Sequence, residues 1–288
     1  MRKPAVAGMF YQKGEVSLQR QVQGCFEGER GPGAVPPALQ KQKQSEPPKA
    51  VIAPHAGYDY SGECAAWAYK AVGDAPKADV YVILAPSHKA LRSGLTQQTF
   101  ETPLGMVRTD QDLARRLLEK GTIREDDGLH EEEHAIEVQL PFLQFVQSDV
   151  KEQIKILPVL VSHDLDLQQF SIDLKEVLVD TGKKAVFIVS TDFTHYGRNY
   201  RYVPFSSNIQ ENIARLDKGA LDLIKQGDAE GLQAYVEEHL ATICGSDAIA
   251  LLLKTVKFSR AHLEQYYTSA VVTGDERNSV SYASVVFR

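Results

Sequence analysis

Three points along this sequence share one form. Each is a run of apolar residues that breaks into a short polar segment holding a histidine. Residues 50–54 run into His55-Ala56-Gly57-Tyr58, residues 79–86 into Ser87-His88, and residues 185–190 into Thr191-Asp192-Phe193-Thr194-His195. Imidazole is the commonest protein metal ligand and the side chain that best moves protons near neutrality. A single histidine at a strand end is most simply a hydrogen-bonding cap. Three at matching positions point to one shared site.

Two further segments hold chemically capable residues. His130-Glu131-Glu132-Glu133-His134 satisfies the H-E-x-x-H pattern, in which two histidines one helical turn apart grip zinc and the glutamate polarises water. Its surroundings are acidic throughout, Pro141 follows within two turns, and no third-ligand motif comes after it. An acidic helix start, complementing the helix dipole, explains the same residues. Cys244 stands in Thr242-Ile243-Cys244-Gly245-Ser246, ahead of an apolar helical stretch. A thiol beside a glycine at a helix start can act as a nucleophile or soft ligand, or simply be buried. Cys25 and Cys64 read as packing residues. There is no phosphate-binding glycine loop, dinucleotide fingerprint or G-x-S-x-G elbow.

The elements that must position these residues alternate between strand and helix. Strands are expected at 50–54, 79–86, 154–161 and 185–190. Helices are expected at 62–72, at 110–120 with Asp110 as N-cap, at 132–146 with Pro141 limiting or kinking it, and at 167–179. Two or three helices follow between 206 and 258. Two β-rich runs, 262–273 and 279–287, flank GDERN and suit an antiparallel pair. Together these predict an α/β fold with a mixed central sheet flanked by helices, where chemistry gathers beyond the carboxyl ends of the strands. The chain of 288 residues is read as a single domain, with an exposed Gly-, Pro- and Gln-rich loop at about 27–49. Its 43% hydrophobic and 24% charged residues exclude wholesale disorder. A net charge of −6 argues against nucleic-acid binding, and three cysteines do not make a disulfide framework. No signal peptide and no membrane span are expected, so the predicted location is cytoplasmic.

The motifs resemble the Memo family, known in bacteria and archaea as the AmmeMemoRadiSam system protein B group. The resemblance is carried by residues 5–11 (AVAGMFY), Pro54-His55-Ala56-Gly57-Tyr58, Pro86-Ser87-His88 and Glu133-His134-Ala135-Ile136-Glu137. It continues through residues 190–197 (STDFTHYG), Thr242-Ile243-Cys244-Gly245 and Ser279-Val280-Ser281-Tyr282-Ala283. That family is similar in fold to the LigB-like extradiol dioxygenases, non-haem iron enzymes that open catechol rings. The resemblance implies that His55, His88 and Cys244 surround a metal, with Cys244 standing where the dioxygenases use a carboxylate. Fe(II) is then the expected ion, with copper or zinc as alternatives. Two imidazoles and a thiolate leave a divalent ion at net +1, as two imidazoles and a carboxylate do, but they form a softer site. His195 would be the acid–base group, with Asp192 orienting an imidazole. Tyr58, Tyr60 and His134 would contact the bound ligand; the family pattern keeps His134 but not His130. The expected function is a metal-binding redox protein acting on a small molecule. The alternative is a non-catalytic adaptor holding a peptide in the same cleft, since eukaryotic relatives are linked to phosphotyrosine-peptide binding. An AMMECR1-like or radical-SAM protein is the expected protein partner.

Overall fold

The computed structural model describes residues 1–288. Ten strands form the sheet: β1 (Ala50–Ala53), β2 (Val80–Pro86), β3 (Gly94–Leu95), β4 (Phe100–Thr102), β5 (Gly105–Thr109), β6 (Lys155–Val161), β7 (Ala185–Ser190), β8 (His195–Gly197), β9 (Ala261–Thr268) and β10 (Asn278–Phe287). The helices are α1 (Glu15–Glu27), α2 (Tyr58–Gly73), α3 (Gln111–Lys120), α4 (Asp127–Glu131), α5 (Gln139–Val146), α6 (Leu167–Thr181), α7 (Ile209–Gln226), α8 (Ala229–His239), α9 (Ser246–Thr255) and α10 (Ala270–Thr273). The strand order is β4-β5-β6-β2-β7-β1-β10-β8, with β3 on β6 and β9 on β10. Strands β5, β6, β2, β7 and β1 run parallel, and β10 closes antiparallel on β1. The fold is therefore the mixed, helix-flanked α/β sheet that the sequence predicts. No helix is long and apolar enough to cross a membrane.

Side chains alternate across each central strand, and both faces are covered. Val51, Ala53, Ile83 and Ile188 pack into a core shared with α1, α2 and α5. Ile52, Val82, Leu84 and Val189 pack into another, filled from α3, α6 and α9. Burial on both faces is why these strands read as unbroken apolar runs rather than alternating ones. At Asp110 the expected cap is present, its carboxylate accepting from Leu113 N at 3.2 Å. The 27–49 segment is largely exposed but pinned in places. Trp67 Nε1 and Gln265 Nε2 both donate to Arg30 O, at 2.8 and 2.7 Å.

The expected helix at 132–146 is corrected by the structure. Helix α4 stops at Glu131, residues 132–138 form a connecting segment, and α5 begins only at Gln139. The cause lies in two carboxylates turned inward. Glu133 Oε1 accepts from Ala135 N at 3.0 Å, a local bond that competes with helical pairing. Glu137, fully buried, accepts from Ala5 N at 2.8 Å, from Val6 N at 3.1 Å, from the Tyr11 hydroxyl and from the Arg2 guanidinium. Arg2 also donates to His130 O at 2.9 Å and to Glu133 O at 2.6 Å, so the amino-terminal residues fasten the segment from outside. Pro141 falls in the first turn of α5, where no helical N–H bond is required of it.

Two tests follow from this packing. Arg2→Ala strands the buried Glu137 charge and is expected to lower stability at pH 7 by about 3–5 kcal/mol in denaturant unfolding. Adding Glu137→Gln should restore part of that loss, because it removes the buried charge while the amide oxygen still accepts from the Ala5, Val6 or Tyr11 donors. His130 is buried, with Nε2 3.3 Å from Gly94 O, and burial depresses its pKa from near 6.5 to about 4. The unfolded chain therefore binds the extra proton first, and stability falls as pH drops from about 6.5 to about 4. At roughly 1.4 kcal/mol per pKa unit, this single group contributes up to about 3 kcal/mol to the fall. His130→Gln should flatten the profile measured across that window.

Candidate metal centre

The parallel arrangement of β1, β7 and β2 delivers three residues to one edge of the sheet. Each strand is followed, two residues after its last position, by a polar side chain: His55 after β1, His88 after β2 and Asp192 after β7. On the third strand the matching residue is thus Asp192. His195 lies further on and opens β8. The third imidazole comes instead from the 132–138 segment. One ring nitrogen each from His55, His88 and His134 lies within 4.8 Å of the others, a grouping that can hold a metal ion. His88 and His134 stack at 4.8 Å between ring centres, and His55 meets both edge-on at 5.0 and 5.4 Å.

Cys244 approaches from the other side of β7. Its Sγ lies 3.2 Å from His55 Nε2 and accepts from Asp192 N at 3.3 Å. The approach depends on Gly245, where a Cβ would meet the Thr191 side chain at 2.6 Å. Burial works to raise the Cys244 thiol, but His55 and His88 outweigh it and hold its pKa well below the ordinary thiol range. The deprotonated sulfur is the form that binds metal. Burial lowers the pKa of His55 and sets that of His134 at about 4, so both are neutral near pH 7. Burial also pulls His88 down, but Cys244 and Glu133 more than offset it and raise its pKa to about 10.

Glu133 is a further residue of this site that the sequence does not single out. It was hidden in an acidic run that looked like a solvated helix start. Its Oε2 accepts from His88 N at 2.7 Å and its Oε1 from His88 Nδ1 at 2.9 Å, while Oε1 also lies 3.3 Å from His134 Nδ1. One carboxylate therefore sets the His88 ring and lies beside that of His134. Burial alone would raise Glu133, but His88 prevails and holds its pKa near 2. The H-E-x-x-H reading fails here on geometry. His130 and His134 are not on one helix, and His130 is turned into the core against Gly94 O and the Phe100 ring.

The cleft above the imidazoles has a volume of about 570 Å³, and no lysine or arginine lines it. Asp192, His195, Tyr60 and His134 are all at its wall, as are Phe10, Tyr200 and Tyr282. Cys244 does not line the open cleft. His195 Nδ1 faces two carbonyls, Phe193 O and Thr242 O, both at 2.9 Å, which places its hydrogen on Nδ1 and leaves Nε2 bare. Asp192 Oδ1 accepts from His55 N at 2.8 Å; burial raises its pKa. Tyr58 requires a correction. It is buried in the core, and its hydroxyl is committed to Val138 O at 2.6 Å, so it presents no group to this cleft. Tyr60, 47% exposed, remains at the mouth.

Residues 2–286 match the family model described as Memo-like protein. The chain is 35% identical to a MEMO1 family protein of Methanopyrus kandleri, covering 100% of this chain and 99% of that relative. It is 34% identical to one of Methanothermobacter thermautotrophicus over 98% of this chain and 99% of the other. A third, from Pyrococcus furiosus, is 33% identical over 100% and 99%. The crystal structure of an uncharacterized protein from Escherichia coli K12 aligns with a TM-score of 0.49 and 15% identity, covering 83% of this chain and 99% of that one, too distant to carry an argument. Matched along almost its whole length, this chain belongs to the Memo family.

Proposed function

We propose that this protein is a non-haem metal-binding redox protein, with iron held by His55, His88 and Cys244 and the reaction taking place in the cleft beside His134. The observation that carries this reading is the 3.2 Å contact between Cys244 Sγ and His55 Nε2 at the floor where the imidazoles meet. A deprotonated sulfur and a bare ring nitrogen 3.2 Å apart are two donor atoms that one shared cation would satisfy. The donor chemistry fits: imidazoles suit iron, copper and zinc once His88 has given up its extra proton, and the thiolate adds softness. An ion bound there supplies open coordination positions and one-electron chemistry at the cleft floor. The protein's own groups do the rest. His195 Nε2 takes or returns a proton from a ligand in the cleft, while Asp192 keeps the His55 main chain in place. With no lysine or arginine on its wall, the cleft suits a small ligand held by aromatic and neutral polar groups.

A second reading, an adaptor that seats a peptide, draws on the exposure of Met9, Tyr60 and Tyr200 at the same mouth. Anaerobic Fe(II) titration, with aerobic copper titration beside it, separates the two readings. His55→Ala, His88→Ala and Cys244→Ser should each weaken ion uptake by at least about tenfold. His130→Ala should leave uptake unchanged. Parent-like affinity in all three ligand variants would remove the site assignment. Ligand binding that survives complete chelation would favour the adaptor.

A further inference from the structure

We propose that Ser190 is a positioning residue that decides which nitrogen of His55 is bare. The geometry stands on its own, while the consequence for an ion rests on the proposed metal-binding function. Ser190 ends β7, and its side chain is buried together with His55 and Gln139. A serine hydroxyl has one hydrogen to give and two lone pairs. The hydrogen is committed, because the carbonyl Ala135 O, which can only accept, lies 2.6 Å away. One lone pair is taken by Gln139 Nε2 at 2.8 Å. The Gln139 amide cannot turn over without loss. Its nitrogen also donates to Pro54 O at 3.0 Å, and its oxygen accepts from the Tyr69 hydroxyl at 2.8 Å.

What remains on Ser190 is one lone pair, and His55 Nδ1 faces it at 3.0 Å. Nδ1 must therefore carry the ring hydrogen. A neutral imidazole protonated on Nδ1 has its lone pair on Nε2, the atom 3.2 Å from Cys244 Sγ. The other tautomer would set a lone pair against a lone pair at Ser190 and turn its N–H toward Cys244 Sγ, which already accepts from Asp192 N at 3.3 Å. Asp192, expected to orient an imidazole, does something else. Its Oδ1 accepts from the His55 main-chain N–H, and its Oδ2 is 4.0 Å from Nε2. The buried chain from Tyr69 through Gln139 to Ser190 thus joins β1, β7 and the 132–138 segment while it selects the His55 tautomer.

Long-range proton–nitrogen spectra of the histidine-labelled, metal-free full chain at pH 8 test this directly. In the parent, His55 Nδ1 should resonate as a protonated nitrogen and Nε2 as a bare one. Ser190→Ala should give mixed tautomers and weaken Co(II) binding by about 10- to 100-fold. Gln139→Leu removes a neighbour from the same buried chain but leaves the hydroxyl between His55 and Ala135 O, so it should keep the parental tautomer. A parent His55 with its hydrogen on Nε2 overturns the proposal whether or not any variant folds. So does a Ser190→Ala spectrum identical to the parent's. If the tautomers behave as expected while Co(II) binds neither protein, the positioning role is upheld and the metal-binding function is what fails.

Discussion

Two buried carboxylates on one short segment, Glu133 and Glu137, are what the site geometry depends on. A buried carboxylate must be met by donors, and all but one of the donors to these two come from distant parts of the chain. Glu137 draws in Arg2, Ala5, Val6 and Tyr11; Glu133 draws in His88 and Ala135. Meeting those demands stops helix α4, opens the segment 132–138 and brings His134 against His88. Phe10 then packs on the His134 ring at 4.9 Å, so the amino-terminal segment both fastens the loop and walls the cleft.

The sheet contributes the complementary constraint. Parallel neighbours β1, β7 and β2 end at one edge, and a rigid edge places side chains more reproducibly than a free loop does. Cys244 reaches that edge only because glycine follows it, allowing its segment to close on Thr191. Around the sulfur, Asp192 N–H and His55 hold charge that burial would otherwise expel. The result is a thiolate beside the neutral His55 ring and the protonated His88 ring, lying behind the cleft wall rather than on it.

Much of this was legible in the sequence, for physical reasons that can be named. The runs at 80–86 and 185–190 announce strands because both faces of a parallel sheet are buried, and the polar residues beyond them announce the edge. What the sequence concealed was long-range. Residues 132–146 have helical composition, and nothing local reveals that Glu133 and Glu137 are claimed by residues more than 40 and 130 positions away. His195 looked like the third strand-end ligand, yet the register gives that place to Asp192. Tyr58 looked free to bind a ligand, but helix α2 turns it onto Val138 O. Ser190 stood in a family motif but had no role assigned to it, since a serine at a strand end is ordinary until its three hydrogen-bond neighbours are known.

The most direct test of the account is the sulfur itself. X-ray absorption on the anaerobically iron-loaded protein reads which atoms surround the ion. The account predicts one sulfur scatterer, at roughly 2.3 Å by analogy with other metal–thiolate bonds, beside nitrogen ligands, and its disappearance in Cys244→Ser. An iron shell of nitrogen and oxygen alone in the parent protein would contradict it.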